Sequence, residues 1–312
     1  MNNMNHFNEL RQLLAKQRYK KRVAVVNAAN ENTLRAVQLI MEAGIADVTL
    51  VGSCKEATAY KPLSPYLDHI RMIDAADDAS AADAAVACAR RGEADALMKG
   101  HLNTDVLLRA LLNKEHGLLP QSSVMTHISV AELPNYPKLL FFSDAAVIPF
   151  PNTEQRLAQV GYVVRLCHAA GIKEPRVALI HCTEKNDERH FPFLKDYSLV
   201  KEKASEGFFG QCIIDGPLDL KTSCSLTAMQ LKGIHSPIQG DADAVIMPDI
   251  ESGNLFHKTL TLFAQARMAS LLQGTAVPVA LSSRGDTPES KLYSVELALL
   301  QSFHDENKTS IA

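Results

Sequence analysis

Two short segments carry side chains suited to holding an anion or a carbonyl oxygen. The first is Ser282-Ser283-Arg284-Gly285-Asp286, directly after the apolar run Pro278 to Leu281. Glycine lets backbone approach a ligand closely. The hydroxyls and N–H groups can donate to an anion, helped by the start of the helix that follows. Arg284 offers a planar fork that matches phosphate. A polar turn and helix cap with a surface arginine explains the same residues, and both readings stay open. The second segment is Met247 to Asn254, with Lys258 one turn on. Asn254 and Lys258 are four apart and share a helix face. They could hold a phosphate or carbonyl oxygen, or simply cap a helix and meet solvent.

Other residues carry weaker signals. Lys99-Gly100 leaves a cation at the end of a short apolar run, as a binding residue or a surface loop. His127 lies inside an apolar run and reads first as a satisfied histidine rather than a base. The cluster Glu184, Lys185 and Asp187 to Arg189 reads first as a solvated loop. Asp215-Gly216-Pro217 reads as a turn. The chain has no G-x-G-x-x-G, Walker loop, H-E-x-x-H or G-x-S-x-G. Sequence motifs therefore give no support to a nicotinamide dehydrogenase, P-loop NTPase, zincin or serine hydrolase.

Such residues must be positioned by the elements before them. Short β-branched runs alternate with helical spacing along the chain. Strands are expected at Arg22 to Asn27, Asp47 to Gly52, His69 to Asp74 and Asp95 to Lys99. Helices are expected at Asn30 to Gly44, Asp78 to Gly92 and Asn103 to His116. Two strands, Ser123 to Val130 and Leu139 to Ser143, flank the Pro-bearing stretch Leu133 to Pro137. Alternation then resumes: helix Thr153 to Ala170, strand Arg176 to His181, helix Lys195 to Glu206, strand Gln211 to Ile214. Helix Ser223 to Lys232 precedes strand Ala244 to Met247. Helix Asn254 to Leu272 precedes strand Pro278 to Leu281, and a last helix covers Pro288 to Phe303.

Alternation of this kind predicts an α/β fold with mostly parallel sheets covered by helices. So many strands favour two α/β domains with a cleft between them. We expect a first domain over 1–130, joined by the helix 286–312, and a second over 131–285. Ligands in such sheets bind beyond the carboxyl ends of the strands. Lys99, Ser143-Asp144, Asp249 to Asn254 and Ser282 to Asp286 all end or follow predicted strands.

Composition sets outer limits. The chain has 312 residues, 46% apolar and 21% charged, with formal net charge −3. That balance is ordinary for a globular protein and asks for neither nucleic acid nor anionic lipid. No signal peptide or membrane-spanning run is apparent, so the expected compartment is the cytoplasm. None of the six cysteines is spaced as C-x-x-C, and buried free thiols are expected.

Several segments together carry a family resemblance. They are ADALMKG with Thr104, FFSDAAVIPFPN, IIDGPL, KGIHSPIQGDADAVIMPDIESGNLFHK and PVALSSRGDTPESKLYSVELAL. In order and spacing the chain resembles the phosphate acetyltransferase and phosphate butyryltransferase family, closer to the butyryltransferase-like branch. That resemblance implies two α/β domains similar to isocitrate and isopropylmalate dehydrogenases, an active cleft between them, and a homodimer. It implies the reversible reaction of acyl-CoA with phosphate to give acyl phosphate and CoA. CoA is then a substrate, and no metal or nucleotide cofactor is implied. An acyl kinase working on the same acyl phosphate is implied as a functional partner.

The resemblance also implies roles. Arg284 takes phosphate and the transition-state charge. Ser283 hydrogen-bonds the CoA sulfur or the carbonyl oxygen, and Asp286 serves as base. Lys99, Thr104, Asp144, Asn254 and Lys258 bind phosphate or the acyl group, and Ser282 and Gly285 lie against CoA. Holding both reactants in line supplies much of the rate, and fixed donors at the carbonyl oxygen lower the barrier further. The chain departs from the family pattern in places. The acetyltransferase branch has a base aspartate where this chain has Ser290, and Lys221 stands where an aspartate is common. Two alternatives follow: a homologue that binds CoA or acyl phosphate without turnover, and a phosphate acyltransferase for longer chains.

Overall fold

The computed structural model describes residues 4–283 and 285–309. Arg284, placed at the phosphate by the resemblance, lies outside the described residues. In chain order the elements begin α1 (Phe7–Leu14), β1 (Lys21–Val26), α2 (Glu31–Ala43), β2 (Ala46–Gly52), α3 (Cys54–Ala59) and a 3-10 helix (Lys61–His69). Next come β3 (Ile70–Asp74), α4 (Asp78–Arg90), β4 (Ala96–Lys99), α5 (Thr104–Leu111), β5 (Thr126–Glu132) and β6 (Leu140–Ser143). Then follow α6 (Thr153–Ala169), β7 (Arg176–Ile180), α7 (Leu194–Ser205), β8 (Ile213–Leu218), α8 (Leu220–Cys224) and α9 (Leu226–Leu231). The chain closes with β9 (Ala244–Ile246), α10 (Ile250–Phe263), β10 (Arg267–Gln273), β11 (Val279–Ala280) and α11 (Pro288–Thr309).

Contacts divide the chain into two compact units. The first holds residues 7–125 and the chain from Ala269 onward; the second holds 126–268 with the segment before Phe7. Residues 269–283, expected in the second domain, therefore sit in the first unit. There β11 runs parallel to β4, pairing Val279 with Leu97 and Ala280 with Met98.

The first unit's strand order is β3-β2-β1-β4-β11-β10. Its neighbours are parallel except β10 with β11. Helices α2 and α11 pack on each other, as do α4 and α5. Asn30 caps α2 by accepting from the Thr33 N–H at 3.0 Å, and Gly44 ends it in the left-handed region at φ 61°. The second unit's order is β5-β6-β9-β7-β8, parallel except β5 with β6. Its apolar core joins Phe142, Ala178, Ile180, Ile238, Val245 and Leu260.

The structure corrects several sequence expectations. The helix expected from Asn254 to Leu272 stops at Phe263, and β10 follows. From Met268 on, β10 is buried at every residue, so its apolar run has no period to distinguish strand from helix. Gln265, at φ 52°, turns the chain between the two. The helix expected from Ser223 to Lys232 is two short helices, with Ser225 capping the second through the Ala228 N–H. Asp215-Gly216-Pro217 is not a turn but lies inside β8. Helix α5 ends at Leu111, short of His116. Helix α1 and the segment from Cys54 to His69 were not foreseen. Among the described residues no helix is long and apolar enough to cross a membrane.

Candidate active site

The carboxyl ends of β1, β4 and β11 lie at one edge of the first unit's sheet. Asn27, just after β1, sits at φ 55°, and its side-chain amide donates to the Asp78 carboxylate at 2.5 Å and the His101 carbonyl at 3.2 Å. Gly100, just after β4, has no room for a side chain: a Cβ there would strike the carbonyl oxygens of Asn27 and Val26. That close approach fixes Lys99, which is only 1% exposed.

The Lys99 ammonium donates to the Ser282 carbonyl at 3.5 Å. A second buried ammonium meets the same residue from α11. Lys291 Nζ donates to the Ser282 hydroxyl at 2.9 Å and to the Ser283 carbonyl at 3.2 Å. Burial lowers the Lys291 pKa, opposed by the nearby negative charge of Asp286. The turn is closed by Asp286, whose carboxylate accepts the Ser283 N–H at 2.7 Å while its own N–H donates to the Ser283 carbonyl at 3.2 Å. A Cβ on Gly285 would meet nothing within 4 Å among the described residues. Thr104 is exposed on the first turn of α5. Two cations of one sign beside hydroxyls make a local positive potential in a chain of net negative charge.

In the second unit, β6 and β9 end side by side, with Ser143 opposite Ile246. Asp144 is buried, and four donors satisfy its carboxylate. One oxygen accepts the Thr126 hydroxyl at 2.6 Å and the His127 N–H at 3.0 Å. The other accepts the N–H groups of Ala146 and Val147, at 2.7 and 2.9 Å. Asp144 thus shapes its own loop.

Helix α10 starts at the same edge, capped by Asp249 through the Ser252 N–H at 2.8 Å. Asn254 reaches back from its first turn and donates to the Ala145 carbonyl at 3.0 Å. Lys258 is exposed one turn on. Arg156, wholly buried, holds the loop before α10 by donating to the carbonyls of Met247 at 2.6 Å and Pro248 at 2.7 Å.

His127 is buried, and its Nδ1 has no hydrogen-bond partner among the described residues. Burial pushes its pKa down to about 4; the Asp144 carboxylate opposes this, while His257 and Lys258 add to it. The ring is therefore neutral near pH 7. All six cysteines are free thiols; Cys88 and Cys167 are buried, while Cys182 is exposed. Among the described residues no group of three or more His, Cys, Asp or Glu could hold a metal ion.

Each edge thus combines fixed cations or amides with hydroxyl groups, a set suited to orienting anions and polarising carbonyls. Residues 78–299, more than half of the chain, match the phosphate acetyl/butaryl transferase family. The chain belongs to this family. A phosphate butyryltransferase from Clostridium acetobutylicum is 35% identical over 94% of this chain and 97% of its own. A phosphate acetyltransferase from Thermotoga maritima is 33% identical over 89% of this chain and 94% of its own. A branched-chain phosphotransacylase from Enterococcus faecalis superposes with a TM-score of 0.77 at 27% identity, covering 91% of this chain and 99% of that one.

As a phosphate acyltransferase, the chain presents residues in its first unit that the sequence marked: Lys99, Ser282, Ser283 and Asp286 come together there. In the second unit, Asp144 and Asn254 meet on the 144–147 loop. The sequence reading did not single out Lys291. A readable signal existed: Lys291 shares a helix face with Val295 and Ala298, both buried, and a lysine on an apolar stripe needs a partner inside. Arg156 was missed as well, because its partners are carbonyls more than ninety positions away.

Proposed function

We propose that this phosphate acyltransferase moves a short acyl group, from acetyl to butyryl or branched, reversibly between CoA and inorganic phosphate. Both substrates are bound together, so phosphate attacks the thioester directly. The observation that carries this reading is the convergence of Lys99 and Lys291, both buried, on Ser282. Buried cations of this kind suit an anionic reactant.

Arg284 and Lys99 take the phosphate, and Thr104 adds a hydroxyl. Ser283 serves the CoA sulfur or the carbonyl oxygen, while Ser282 and Gly285 lie against CoA. Asn254 and Lys258 polarise the acyl carbonyl, with Asp144 holding the loop that seats Asn254. As phosphate attacks, charge builds on the carbonyl oxygen, and donors already in place stabilise it without reorganisation. The C–S bond then breaks and the thiolate leaves. In the reverse direction the CoA thiol, with a pKa of about 8.5 for its class, must lose a proton, and Asp286 is the nearest carboxylate to take it.

CoA enters as a substrate and the step needs no separate cofactor. The reading extends to a cytoplasmic homodimer that hands its acyl phosphate to an acyl kinase. The test is a chain-length series. The ratio kcat/KM, measured with acetyl-, propionyl-, butyryl-, isobutyryl- and octanoyl-CoA at fixed phosphate, should peak at four carbons or fewer. A steady rise to octanoyl-CoA would contradict the short-chain assignment.

A further inference from the structure

We infer that Lys291 is a positioning residue for the transfer step: its ammonium holds the Ser282 hydroxyl as an acceptor, so the Ser282 proton must be donated onward to the reacting group. The inference rests on the function proposed above.

The geometry carries it. Lys291 Nζ reaches two acceptors on the Ser282–Asp286 turn, the Ser282 hydroxyl at 2.9 Å and the Ser283 carbonyl at 3.2 Å. Lys291 is 1% exposed and Ser282 5% exposed, so water does not compete for the contact. A hydroxyl has one proton to give. Once its oxygen accepts from a cation, that proton points elsewhere and is a stronger donor, because hydrogen bonds in a chain polarise one another. A serine so arranged suits the oxygen or sulfur that gains charge in acyl transfer.

The surroundings favour retention of the cation's role at neutral pH and its loss in alkali. Elements packed on α11 carry Glu9 and Arg11 on α1, Glu31, Arg35 and Glu42 on α2, and Lys99 on β4. Arg11 pairs with Glu296 on α11 itself, and Arg35 with Glu42. Lys99 shares Ser282 through the carbonyl. Glu289 lies on the first turn of α11. Asp286 is the carboxylate that favours the charged form of Lys291, and burial opposes it. With burial the larger influence, Lys291 loses its proton at lower pH than an ordinary lysine.

The test follows acyl-CoA with phosphate, the direction in which no substrate thiol ionises. Wild type should show kcat falling on the alkaline side. Lys291→Met, checked for folding by circular dichroism and melting, should lose about 100-fold in kcat, with the acyl-CoA KM within about threefold. Its alkaline limb should be absent. Ser282→Ala leaves the lysine in place and should also lose that limb, and the double variant should be no worse than the poorer single one. A Lys291→Met kcat within threefold of wild type would overturn the inference. So would an alkaline limb that persists in Ser282→Ala, which needs no Lys291 variant to fold, or losses that multiply in the double variant. Absence of wild-type turnover with any short acyl-CoA would overturn the proposed function and this inference together. Wild-type turnover with an unaffected Lys291→Met would overturn the inference alone.

Discussion

Gly253 packs its Cα against the backbone carbonyl of Asp144, so closely that a Cβ would overlap the oxygen. The next residue, Asn254, bonds the following carbonyl, that of Ala145. The start of α10 and the 144–147 loop are therefore one piece of structure. Gly253→Ala should push them apart, lower the melting temperature and reduce kcat by more than tenfold, since a small misplacement near the reacting groups is costly. Activity and a thermal melt measured together check it. An unchanged kcat would mean the loop does not serve the reaction.

Lys99 is fixed by the Gly100–Asn27 approach and assigned to phosphate. Lys99→Met should raise the phosphate KM by about tenfold or more while changing the acyl-CoA KM little. Initial rates over a grid of both substrates separate the two constants. Equal effects on both would point to a general disturbance of the Ser282 turn instead.

Glu296 supplies a pH test of stability. It is fully buried beside Arg11, which donates to it at 2.7 Å, yet burial outweighs that ion pair and pushes its pKa up to about 7. The folded protein thus holds a proton there that the unfolded chain releases near pH 4.5. Stability from this group falls as pH rises between those values and stays low above them. Glu296→Gln should therefore stabilise the protein by about 3 kcal/mol at pH 8 and by about 1 kcal/mol at pH 5. Urea unfolding at the two pH values measures the difference, and an equal gain at both would refute it.

His127 acts in the opposite sense. Its folded pKa, near 4, lies below the usual 6.5, so the unfolded chain binds a proton first as pH falls. Stability is intact above about pH 6.5 and declines toward pH 4, by about 2 kcal/mol at pH 5. His127→Gln should show a smaller loss between pH 7 and pH 5 than wild type. Because Glu296 and His127 oppose each other over overlapping ranges, the wild-type profile can look flat while each variant tilts it.

Much of this arrangement was legible before any coordinates. Asn30 and Gly44 bound α2 as their chemistry requires, and the polar segments after β4, β6, β9 and β11 fall at strand ends, where parallel sheets bind ligands. Local chemistry encodes such features. What the sequence hid depends on distant partners. The run from Met268 to Leu272 is mostly apolar without a helical or strand period, and only its burial at every residue in the fold makes it a strand. Lys291 gains its meaning from Ser282 nine positions back, and Arg156 from two carbonyls that the fold brings to it. The position of Asp144 at a strand end was legible, but two of the four donors on its carboxylate, Thr126 and His127, come from positions only the fold brings near.

The central claim, acyl transfer between CoA and phosphate, is tested most directly by the release of free CoA thiol from butyryl-CoA with and without phosphate, in wild type and in Arg284→Ala. The account predicts release that requires phosphate, forms butyryl phosphate in equal amount, and drops by at least about 100-fold in the variant. Release that proceeds equally without phosphate, or that survives intact in Arg284→Ala, would contradict it.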